Sequence, residues 1–169
     1  MKNRSDKPKL YINQEGSIQP KKQFPFLKCG VAFSPRLPLN LDPSNRPIVL
    51  TSVSIDTKKI INPAVLITYS SFVTSILREE AFNSLTFRLV RSCKKGSRKV
   101  LQEYPFRREF GSDTNVKEPV VYNFCDASPI KKSICTYTLE LVSVQLSQRS
   151  MYDITNKSLT AQMYNKHDS

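Results

Sequence analysis

The residues predict an all-β fold, an antiparallel β-sandwich of jelly-roll type carrying an extended N-terminal arm. Apolar side chains recur at every second position over most of the chain, the period of a strand with one buried face. Seven Tyr and nine Phe, with abundant Val, Ile and Thr, supply the residue types that pack on a pleated surface. Turn residues interrupt these runs at intervals of roughly 10–20 residues, the spacing of short antiparallel strands. With four Gly against eleven Pro, the turns lean on Pro, Asn, Ser and Asp.

Residues 1–28 form the arm. They are polar and basic, with Pro8, Pro20 and Pro25, and their apolar content is a short patch at Leu10, Tyr11 and Ile12. Such a segment cannot bury enough surface to offset the entropy of ordering itself. Residues 29–165 form the sandwich and 166–169 a polar tail. Leu27 to Phe33, where the arm meets the sandwich, is the first apolar segment, followed by a Pro-rich link through Pro35, Pro38, Pro43 and Pro47. Val49, Thr51, Val53 and Ile55 share one face of a strand, and Asn62-Pro63 turns the chain, since the residue before Pro avoids the helical region. Val65, Ile67 and Tyr69 alternate in the next strand, and Leu85, Phe87 and Leu89 in another that ends at Cys93. Ser75 to Phe82 is the one stretch that suggests a helical turn. Val120, Tyr122 and Phe124 make a further strand. Another begins at Cys135, Tyr137, Leu139 and Leu141, then changes face to Val142, Val144 and Leu146, which predicts a bulge. Leu159, Ala161 and Met163 close the series. Val53, Ile67, Phe87, Tyr122 and Leu139 are expected to share one core.

The side-chain chemistry argues against an enzyme. The sole His, His167, is the third residue from the end of the sequence, a poor place for a general base that must be held against its partner. No nucleophile elbow, P-loop or dinucleotide fingerprint occurs, and no carboxylates pair at a readable spacing. Cys29, Cys93, Cys125 and Cys135 include no Cys-x-x-Cys pair, so no metal site and no cofactor are expected. Cys93 and Cys135 read as small buried thiols, which behave as hydrophobes. Of the pairs a bridge would join, Cys125 and Cys135 close the shortest loop in an oxidising compartment. Cys29, where the arm meets the body, is the thiol best placed to react with another chain. The sequence opens without an apolar signal segment, so synthesis in the cytoplasm is expected, and no run is long and apolar enough for a membrane span.

The segments Leu27-Lys28-Cys29-Gly30, then Ser52 to Thr57, then Asn62-Pro63-Ala64-Val65-Leu66-Ile67-Thr68-Tyr69-Ser70-Ser71 form an ordered series. Leu85 to Cys93, Tyr122-Asn123-Phe124-Cys125-Asp126 and Cys135 to Glu140 continue it, covering roughly residues 27–165. In this series the chain resembles a family of spore-forming Firmicutes, domain of unknown function 4489. The resemblance implies a protein of a sporulating cell deposited on the spore surface, and it carries over no catalytic residue. Relatives of this kind are richer in Cys, both in the arm and between the positions of Cys125 and Cys135. Here Lys131, Lys132 and Ser133 stand instead, which argues against a heavily cross-linked assembly.

Two functions are expected from these readings. The first is a self-assembling subunit of a spore-surface layer or appendage, a homo-oligomer or polymer, alone or with other spore-surface proteins. Its arm would add as a strand to a neighbour's sheet edge. The second follows from a net charge of +12. It is a monomeric module whose basic loops grip an acidic polymer such as polyphosphate, teichoic acid or nucleic acid. A small-molecule ligand is not expected.

Overall fold

The structure is a computed structural model that describes residues 26–58, 60, 62–94, 96–127 and 133–165. Nine strands are present among them: β1 (Phe26–Cys29), β2 (Val31–Ala32), β3 (Ile48–Asp56), β4 (Pro63–Leu77), β5 (Phe82–Cys93), β6 (Lys99–Glu109), β7 (Thr114–Asp126), β8 (Ile134–Leu146) and β9 (Met151–Asn165). The first sheet has the order β1-β9-β4-β7 and the second β2-β3-β8-β5-β6. All pairings are antiparallel. Apart from β2–β3 and the β5–β6 hairpin, each step along the chain crosses from one sheet to the other. Two four-stranded sheets wound in this order are the jelly roll that the sequence predicts, with β2 added beside β3.

Alternation explains which residues go inside. Val65, Ile67, Tyr69 and Val73 of β4 face Leu85, Phe87 and Leu89 of β5 across the sandwich, and all are buried. The rings of Tyr69, Phe87 and Tyr122 stand 5.6–6.2 Å apart, and Tyr104 stacks on Tyr122 at 4.2 Å, closing the open side between β6 and β7. The core expected from the sequence is largely the one observed. Val53, Ile67, Phe87 and Leu139 are buried in it, and Tyr122 is partly buried against it.

The change of face in β8 is also present. Leu141 and Val142 are both buried, and the register with β5 slips between Thr86 and Phe87, so Val142 is the extra residue. A second bulge, between Val49 and Thr51, turns Val49 outward and buries Leu50 in its place.

Two expectations need correction. Ser75 to Phe82 is no helical turn, because β4 runs on to Leu77 with Ser75 and Leu77 pointing inward. Glu79 and Ala81 then reverse the chain with φ of 50° and 37°. The turn is held by the Asp113 carboxylate, which accepts from the Glu79 N–H at 3.0 Å. The arm, placed at residues 1–28, gives up its last three: Phe26, Leu27 and Lys28 lie in β1 and pair with Met163, Gln162 and Ala161 of β9. Leu10, Tyr11 and Ile12 lie outside the described residues.

Candidate assembly surface

The chain passes from the first sheet to the second at Gly30. Its N–H donates to the Leu159 carbonyl at 2.7 Å, and a Cβ at this position would stand 2.4 Å from the Ser52 carbonyl oxygen. A residue without a side chain is needed for so close an approach. One short segment thereby contributes β1 to one sheet and β2 to the other.

That segment is exposed and apolar. Leu27 is 61% exposed and Val31 62%, and Phe26 and Phe33 are exposed beside them. The alternation of Leu27 to Phe33 is that of a core strand, so sequence reasoning had no signal that these side chains would face solvent. They do so because β1 and β2 lie at the margins of their sheets, with neighbours on one side only.

The four cysteines separate into two kinds. Cys93 and Cys135 stand opposite each other on β5 and β8 and form a disulfide, with Cα atoms 4.1 Å apart. Lys94 donates to the Ile134 carbonyl at the next position, so the cysteines occupy the close, non-hydrogen-bonded kind of site. The Cys125–Cys135 bridge expected from the short loop is therefore not formed. Side-chain alternation forbids it: Cys125 points outward from β7 of the first sheet, whereas Cys135 points into the core from the second. Cys29, the thiol assigned to contact with another chain, is free and exposed on β1, and Cys125 is free and exposed on β7.

A polar clasp joins the sheets near the disulfide. Asp126, at the end of β7, is 3% exposed. It accepts a hydrogen bond from the Arg91 guanidinium and one from the Tyr137 hydroxyl at 2.8 Å. Arg91 and Tyr137 are themselves opposite one another on β5 and β8. Burial, and then the adjacent Asp126 carboxylate, push the Tyr137 phenol well above its ordinary range. Two surface grooves among the described residues, one lined by Ser34 and Asp153 and the other by Glu80 and Arg107, include no member of this cluster. Its groups face one another, which makes it a tie between sheets.

Among the described residues, no group of three or more His, Cys, Asp or Glu side chains is placed to hold a metal ion. No described helix is long and apolar enough to cross a membrane.

Many of the basic side chains have acidic partners. Arg98 makes two bonds from one nitrogen to the Glu140 carboxylate, at 2.6 and 2.8 Å, and Arg88 pairs with Glu103 and Arg108 with Glu118. These pairs gather around β6, which also carries Pro105. Charge and proline are the devices that keep an edge strand from recruiting another chain.

No curated protein matches the chain. Among solved structures it is similar to a chain of infectious bursal disease virus, Gx strain, with a TM-score of 0.54 at 16% identity over 82% of this chain and 32% of that one. A chain of the Gt strain of the same virus gives a TM-score of 0.51 at 14% identity, over 92% of this chain and 37% of that one. The protein thus spans about a third of the length of these chains, and at such identities the likeness is one of fold. A family profile described as "Domain of unknown function (DUF4489)" matches residues 24–163. That span takes in β1 to the end of the β9 core positions, so the chain belongs to the DUF4489 family.

Proposed function

We propose that the protein is a non-enzymatic structural subunit that assembles with copies of itself, its N-terminal arm adding as a strand to a neighbour. The observation that carries this reading is the apolar surface at the root of the arm. Phe26, Leu27, Val31 and Phe33 crowd solvent-exposed side chains into eight residues of an otherwise basic, polar protein. A concentration of exposed apolar groups marks an interaction site. Leu10, Tyr11 and Ile12, farther out, are the short anchors that strand addition needs between its backbone hydrogen bonds. The spore surface of a spore-forming bacterium is the setting proposed from the family resemblance.

The experiment is sedimentation of the full chain and of a full-length variant carrying Leu10→Ser, Tyr11→Ser and Ile12→Ser. The parent should sediment as oligomers or polymers and the variant as a monomer of the same circular dichroism. Deletion of residues 1–25, which stops short of β1, should give the same result. A parent that stays monomeric at high concentration and moderate salt removes the assembly reading.

The net charge of +12 favours a second reading, a module for an acidic polymer. Salt separates the two, because binding through released counterions weakens steeply with ionic strength. Strand addition rests on backbone bonds and apolar contacts, which respond little.

A further inference from the structure

The edges of the two sheets are not equally protected. On β6, Pro105 and the charged run of Glu103, Arg107, Arg108 and Glu109 discourage pairing. The first half of β7 is guarded in the same way by Lys117, Pro119 and Glu118, the last held by Arg108 at 2.9 and 3.0 Å. The second half, Val120-Val121-Tyr122-Asn123-Phe124-Cys125, contains neither charge nor proline. Its composition is that of a segment prone to pair with another strand. β7 is hydrogen-bonded on one side only, to β4.

The backbone groups on the outer side of β7 can be named, and one of them, the Asn123 carbonyl, already has a partner. Tyr104 donates its hydroxyl to the Asn123 carbonyl from outside the first sheet, at 3.4 Å, so the Asn123 peptide turns away from β4. Alternation assigns the same direction to Val121 and Cys125 and also to Pro119, whose missing N–H is thus on the free side where an edge strand tolerates it. Val121 is 58% exposed and Cys125 is exposed, which leaves room for side chains of an added strand.

We propose that this free edge of β7, from Val120 to Cys125, receives the Leu10–Ile12 segment of a second copy's arm. The proposal rests on the assembly reading and says which edge accepts the strand. The lengths agree. Residues 1–25 precede β1, which lies at the opposite margin of the same sheet from β7. At about 3.3 Å per residue the arm spans up to roughly 80 Å when extended, far more than the ~15 Å width of four strands. The open edge is about 20 Å long, enough for Leu10 to Ile12 with one or two flanking residues at each end. The arm's Lys7 and Lys9 flank that patch. An uncharged acceptor admits them, whereas the β6 edge is taken up by paired charges and Pro105.

Three full-length variants test this by sedimentation, with circular dichroism to check the fold. Asn123→Pro removes an N–H that makes no bond to β4. Val121→Lys places a positive charge beside the entering basic arm. Arg107→Pro makes the equivalent backbone change on the β6 edge. The first two should each raise the concentration needed for assembly at least tenfold, and the third should leave it unchanged. If Asn123→Pro fails to fold, Val121→Lys still decides the matter. Folded variants at both positions that assemble like the parent overturn the choice of edge but leave the assembly reading standing. Loss of assembly in Arg107→Pro alone moves the acceptor to β6, and a monomeric parent removes both.

Discussion

Arg91 and Asp126 show how context sets the worth of an ion pair. The pair is buried, and Tyr137 adds a second hydrogen bond to the same carboxylate oxygen. Taking one member away strands the other in a medium that solvates charge poorly, so Arg91→Met should cost about 3–5 kcal/mol. The Arg88–Glu103 pair has the same chemistry, but Glu103 is half exposed, and Arg88→Ala should cost no more than about 1 kcal/mol. Urea titrations of the two variants check the contrast; equal losses would mean that the clasp does not tie the sheets together.

The strands carry the next level of constraint, and the Cys93–Cys135 disulfide joins two that are distant in sequence. It closes a loop of 42 residues, for which the chain-entropy argument gives about 4 kcal/mol. Alkylation of the folded, oxidised protein should label Cys29 and Cys125 and spare the other two. Replacing Cys93 and Cys135 by Ala should lower the urea midpoint accordingly.

The Cys93–Cys135 pairing is not legible in the sequence, for a physical reason. Alternation along β5 and β8 was readable, and so was the bulge at Leu141-Val142, because both are local patterns. The partnership of β5 with β8 was not, since two further strands separate them in the chain. Loop length favoured Cys125, yet the side-chain parity of β7 and its place in the other sheet rule it out. Lys99–Glu109 and the first half of β7 carry no strand signal for a related reason. Edge strands take on charge and proline, which erase the alternating signal. The apolar margin at Phe26 to Phe33 was visible as residues but not as a surface, because exposure there depends on where β1 and β2 come to rest.

The assembled sandwich is protected against neutral solution but not against alkali. Burial pushes the Tyr69 phenol from its ordinary value of 10.0 up to about 12. Tyr122, Tyr137 and Tyr152 are raised in the same direction, again chiefly by burial. A phenol is neutral when protonated, so a raised value in the folded state means that folding favours the proton. The resulting stability is complete below the unfolded value near 10 and is lost as pH rises from there toward the folded values. Urea midpoints should therefore hold up to about pH 10 and then fall steeply, with phenolate absorbance from these residues appearing together with unfolding. Ionisation of all seven Tyr before any loss of structure would contradict their burial.

The strand order has a consequence for the timing of folding. β8 lies between β3 and β5, and β9 lies between β1 and β4. Each of these two strands fills the middle of a sheet whose flanking strands precede it in the chain. Until β8 has been made, β3 cannot reach β5 through hydrogen bonds, and until β9 has been made, β1 cannot reach β4. Folding of so non-local a topology is slow, in the range of milliseconds to seconds. A nascent chain passes that interval with its sheets incomplete and their strands open to wrong partners. Neither sheet is continuous until its central strand, β8 in one and β9 in the other, has left the ribosome.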